Sequence, residues 1–102
     1  ANMPTTNEAV QYLMENGCVV APAKAANAGG VACSCLEMAQ NAEHLIWNKE
    51  RVYDELENIM VHIFKITEEA CAKYNLGENL VAGANIAGFE RVAEAMMMQG
   101  IV

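Results

Sequence analysis

A single segment of this chain reads plainly as a β-strand, and that fact limits the fold more than any other. Cys18-Val19-Val20-Ala21 is a short apolar run with two β-branched residues, bounded by Gly17 and Pro22. A helical pattern precedes it, and a Gly-rich turn into another helix follows. That order is the rhythm of an open α/β sheet. One strand cannot make a sheet, and its partners are missing. The sequence therefore predicts an α/β fragment, mostly helical, with one or two short strands.

The helices are legible from their ends. Thr5-Thr6-Asn7-Glu8 reads as a capping box, with Thr5 as N-cap and Glu8 three residues on, and this helix should stop near Asn16-Gly17. From Gly30 to about Ile46, Val31, Cys35, Met38, Ala39, Ala42 and Leu45 recur at helical steps. Asn48 is the expected cap of the longest helix, about Lys49 to Tyr74, whose apolar face runs from Val52 through Leu56, Ile59 and Ile63 to Ile66. Asn75-Leu76-Gly77 ends it. A last helix is expected from about Asn79 to Gln99, with Phe89, Val92, Ala93, Met96 and Met97 on its apolar face. Gly83-Ala84-Asn85-Ile86-Ala87-Gly88 lacks the spacing of a phosphate loop, so its glycines point to close helix packing.

Charge and cysteine usage exclude several function classes. With 13 acidic against 6 basic residues, the net charge of −7 repels a phosphate backbone, so no nucleic-acid partner is expected. No apolar run is long enough to span a membrane, and the start lacks the pattern of a signal peptide. The 54% apolar content exceeds the usual share of about 45–50%, which implies surfaces that need covering. Cys18, Cys33, Cys35 and Cys71 form no C-x-x-C pair, and His44 and His62 lie in separate segments. A zinc module is the poorer reading of them. Four free, mostly buried thiols in a cytoplasmic protein is the better one.

The segment Asn27-Ala28-Gly29-Gly30-Val31-Ala32-Cys33-Ser34 holds the candidate site. A helix start offers free N–H groups, Asn27 adds an amide, and Ser34 adds a hydroxyl. Val31, Ser34 and Met38 share one helix face. An apolar wall with one hydroxyl and one amide suits a carboxylate on a short aliphatic chain. Lys24 could add a cation. The same spacing also fits a tight turn that binds nothing. No histidine or paired carboxylate stands nearby, so the chain can bind but shows no means of proton transfer.

Four motifs carry a family resemblance: Ala1 to Thr6, Ala21 to Val31, Leu36 to Asn41, and Asn79 to Phe89. With the ending Ala93-Glu94-Ala95-Met96 through Gln99-Gly100-Ile101-Val102, they resemble the C-terminal quarter of hexameric glutamate dehydrogenases. The resemblance covers essentially the whole chain, in order. It implies that residues 1–46 close a Rossmann-type dinucleotide-binding domain, and that residues 47–102 are long helices returning to a substrate and assembly domain. It implies NAD- or NADP-dependent oxidative deamination of L-glutamate to 2-oxoglutarate and ammonia, by a homohexamer. Ser34 and Val31 match substrate-binding positions, and Asn27 and Asn2 match positions near the nicotinamide. The family's catalytic Lys and Asp, and its Gly-rich phosphate turn, match nothing in this chain. No metal is implied, and the 102 residues alone are expected to be inactive. The rival reading is a free-standing helical interaction module. Ala23 departs from the family's usual Gly, and Cys33 and Cys35 from its usual small or aliphatic residues.

Overall fold

A computed structural model describes residues 2–100. Ala1, Ile101 and Val102, which belong to two of the motifs above, lie outside the described residues. Among the described residues five helices follow one another: α1 (Asn7–Glu15), α2 (Ala23–Ala26), α3 (Ala28–Glu43), α4 (Lys49–Lys73) and α5 (Leu80–Gln99). The described residues contain no strand, so the α/β expectation is corrected to an all-helical one. Residues 18–21 run without regular structure, and Val19 is 65% exposed. A strand needs a neighbour to take its N–H and C=O groups, and the described residues supply none.

Side-chain caps start three of the helices. Thr6, not Thr5, caps α1, accepting from the Ala9 amide at 3.3 Å. Adjacent threonines offer equivalent hydroxyls, and the structure uses the second. Asn48 accepts from Arg51 N at 2.9 Å, and Asn79 from Ala82 N at 3.0 Å. Asn48→Ala should cost about 1 kcal/mol, read as a lower urea midpoint. Left-handed residues end α1 and α4. Gly17 at φ +77° closes α1, with Cys18 N donating to Leu13 O. Asn75 at φ +55° closes α4 the same way, with Leu76 N donating to Cys71 O.

Helix α4 is the spine, with α3 packed along it and α5 folded back against it. At the α3–α4 corner the Trp47 indole N–H donates to Glu43 at 2.9 Å, and the Arg51 guanidinium stacks 3.9 Å over its ring. The α4–α5 contact is closest at Gly83, buried against Thr67 and Cys71. The Cys71 thiol donates to Asn79 O at 3.4 Å, and Thr67 satisfies its hydroxyl on Ile63 O at 2.9 Å. Further out, Glu90 accepts from both Lys73 and Tyr74.

That cluster has a pH signature. The hydrogen bonds from Lys73 and then Tyr74 hold the Glu90 carboxyl below its ordinary 4.5. Glu90 in turn raises Lys73 above 10.5. A lowered carboxylate contributes stability above its unfolded pKa and loses it as pH falls through the folded value. The raised lysine contributes below its unfolded pKa and loses that as pH rises through its folded value. Both groups are exposed, so the contribution is small. Glu90→Gln should therefore lower the urea midpoint slightly at neutral pH and leave it unchanged well below pH 4.5.

The core is small. Among the described residues only Ala32, Thr67, Ala70, Cys71 and Gly83 are buried. Of the cysteines only Cys71 is buried, so the expectation of mostly buried thiols is corrected: Cys18, Cys33 and Cys35 are exposed, though all four are free. The accessible surface is 7962 Å², where a compact monomer of 11.1 kDa exposes about 5,700 Å². The radius of gyration is 16.5 Å against about 13 Å for a compact domain of this length. Large apolar side chains are exposed along the whole chain, including the apolar face of α5, where Phe89 is 71% and Met97 79% exposed. No helix among the described residues is long and apolar enough to cross a membrane.

Candidate functional site

Tertiary packing among the described residues builds an open cleft of about 950 Å³. Its walls are the segment before α1, the 20–27 segment, the middle of α4 and the first half of α5. Ile63, Ile66 and Val81 give it an apolar floor. Asn2, Asn27 and Asn85 are among its polar lining residues, with Lys24 and Arg91 as its basic ones.

Two of the four predicted site residues meet here. Asn2 and Asn27 lie 25 positions apart in sequence and line the same cleft. Asn27 is also the junction of α2 and α3: its N–H donates to Ala23 O, and its C=O accepts from Gly30 N. The junction does not depend on its glycines: a Cβ on Gly29 would only graze the Met60 sulfur at 3.5 Å, and one on Gly30 would meet nothing within 4 Å.

Val31 and Ser34 lie elsewhere, outside the cleft lining. Helix α3 turns Gly29, Ala32, Leu36 and Gln40 inward, and these are its more buried positions. Val31, Ser34 and Met38 share the opposite face, as the periodicity requires, and all three are exposed. Val31 is 69% exposed. The Ser34 hydroxyl donates back to Gly30 O at 3.3 Å, a bond within its own helix. Among the described residues nothing covers this face. Among the described residues no group of three His, Cys, Asp or Glu side chains could hold a metal ion.

Arg91 is the cleft residue the sequence reading missed. It sits on α5, 67 residues beyond Lys24, and no local motif marks it. The signal available was helical spacing alone: Ala84, Gly88 and Arg91 fall on one stripe of α5.

The sequence profile of the Glutamate/Leucine/Phenylalanine/Valine dehydrogenase family matches residues 1–100. The chain belongs to this family. It is 55% identical to the NAD-specific glutamate dehydrogenase of Clostridium symbiosum over 102 residues, covering 99% of the chain and 23% of that enzyme. It is 54% identical to the NADP-specific glutamate dehydrogenase of Salmonella typhi, covering 100% of the chain and 23% of the relative. Its fold matches a solved glutamate dehydrogenase with a TM-score of 0.91 at 54% identity, covering 23% of that structure. The Plasmodium falciparum glutamate dehydrogenase matches with a TM-score of 0.92 at 47% identity, covering 100% of this chain and 22% of that one. The chain therefore spans about a quarter of the length of these dehydrogenases. Within the family, its relatives include both NAD- and NADP-specific enzymes.

Proposed function

We propose that this chain forms one wall of the active site of a glutamate dehydrogenase, which deaminates L-glutamate oxidatively with NAD or NADP. The single observation that carries the reading is the α3 face. Val31 and Ser34 match the family's substrate positions, and both stand exposed on a well-formed helix with nothing opposite. An exposed valine and a hydroxyl satisfied only by its own helix are what one wall looks like when the other is absent. Ser34 would donate to the side-chain carboxylate of glutamate, and Val31 would pack on its methylenes. Asn27 and Asn2, brought together in the cleft, would orient the nicotinamide and the reacting carbon.

In this reading residues 1–46 close the dinucleotide-binding domain, and 47–102 return to the assembly domain of a cytoplasmic homohexamer. The catalytic Lys and Asp, and the phosphate turn that binds the coenzyme, belong to the remainder of such an enzyme. The oversized surface argues against a free-standing interaction module, because a compact module would bury the α5 face.

A graft tests the proposal. This chain replaces the matching segment of the Clostridium symbiosum enzyme. The graft is expected to reduce NAD with L-glutamate, and to prefer glutamate over leucine, phenylalanine and valine. A folded, assembled graft that ignores glutamate would overturn the reading.

A further inference from the structure

A ligand read against the α3 face has a direction, and the helix runs on past its end. With Asn27 at the start of α3 beside the reacting carbon and Ser34 on the side-chain carboxylate, glutamate points from the N-terminal end of the helix toward its C-terminal end. The exposed face continues beyond Ser34 to Met38, which is 70% exposed, as bare as Val31 at 69%. A helix rises about 1.5 Å per residue, so Met38 stands about 6 Å further along the axis than Ser34. At about 3.6 residues per turn, its direction around the helix falls between those of Val31 and Ser34. Cys35 falls outside that pair, on the flank of Val31. Ala42 lies a turn further on and is too short to reach back. A long side chain on a helix leans toward the N-terminus, over the turn before its own Cα. Met38 therefore leans toward Ser34, four residues before it.

We propose that Met38 is a specificity residue: it closes the pocket beyond Ser34 and limits the length of the dicarboxylic amino acid accepted. The inference rests on the glutamate reading and deepens it, since Ser34 selects a carboxylate and Met38 sets how far from the reacting carbon it can lie. Glutamate ends at the Ser34 hydroxyl. An amino acid one methylene longer would push its carboxylate past the hydroxyl and onto a thioether that has no hydrogen to donate. A carboxylate held there loses its water without gaining a partner, which disfavours the longer substrate.

The test uses the assembled graft with the Clostridium symbiosum enzyme. It compares kcat/KM for L-glutamate with that for L-2-aminoadipate, which is one methylene longer. Both substrates meet the same folded fraction, so a general loss of stability leaves their ratio unmoved. Met38→Ala should lower the preference for glutamate at least about tenfold, the scale of one methylene in an apolar pocket. Met38→Leu, close in volume, should keep the preference. If the alanine variant does not assemble, Met38→Val carries the same expectation as Met38→Ala. A preference unchanged in the shortened variant, while Ser34→Ala still lowers glutamate use, overturns the length limit and leaves the glutamate reading standing. A folded graft that ignores glutamate overturns both.

Discussion

Replacing Gly83 with alanine is expected to force α5 off α4 and lower stability by about 1–3 kcal/mol. A Cβ at this position would stand 2.4 Å from the Cys71 sulfur and 2.8 Å from the Thr67 carbonyl oxygen. The sulfur could move by rotation, but the oxygen is backbone in the middle of α4. The helices must therefore separate, and the little core the chain possesses lies at that contact. Alanine's better helix propensity returns up to about 1 kcal/mol, which does not offset the clash. Gly88, five residues along the same helix, makes the internal control. Its Cβ would meet nothing within 4 Å, so Gly88→Ala should raise the urea midpoint while Gly83→Ala lowers it. Two midpoints shifted in the same direction would contradict the close approach at Gly83.

The second large effect concerns Ser34. In the graft with the Clostridium symbiosum enzyme, Ser34→Ala should lower kcat/KM for glutamate about ten- to a hundredfold. Losing a hydrogen bond to a charged group costs roughly 1.5–3 kcal/mol, and about 1.4 kcal/mol is tenfold. A serine has one hydrogen to donate, and here it goes to Gly30 O at 3.3 Å. The hydroxyl must rotate away from its helix to meet a carboxylate, which trims the net gain and favours the lower end of the range. A valine side chain has only packing to offer a ligand, so Val31→Ala should affect glutamate less than Ser34→Ala does. Unchanged glutamate kinetics in Ser34→Ala would remove that hydroxyl from the site.

How far the sequence could be read differs from residue to residue, for physical reasons. The ends of α4 and α5 were legible because caps act locally: Asn48, Asn75 and Asn79 satisfy amides or adopt left-handed backbone within three or four positions. Close packing at the first glycine of Gly83–Gly88 was legible too, though Gly88 proves to be open. The shared face of Val31, Ser34 and Met38 followed from helical period. What that face looks at did not, because burial of a face depends on what is packed across from it. The Cys18–Ala21 strand failed for the same reason. Its composition suits a sheet, but strand structure is a property of pairs. Thr5 and Thr6 show a finer limit, since the capping-box pattern fits the first and the hydroxyl used is the second. The cleft itself was illegible. Asn2, Lys24 and the α5 pair Asn85 and Arg91 come from three separate stretches, and only tertiary packing brings them to one concavity.

The central claim is that this chain supplies a binding wall and not the chemistry. Purified as 102 residues, it should be mixed with L-glutamate and NAD or NADP while reduced nicotinamide is followed by its absorbance. No glutamate-dependent reduction is expected with either coenzyme. Turnover that scales with the concentration of the chain would contradict it.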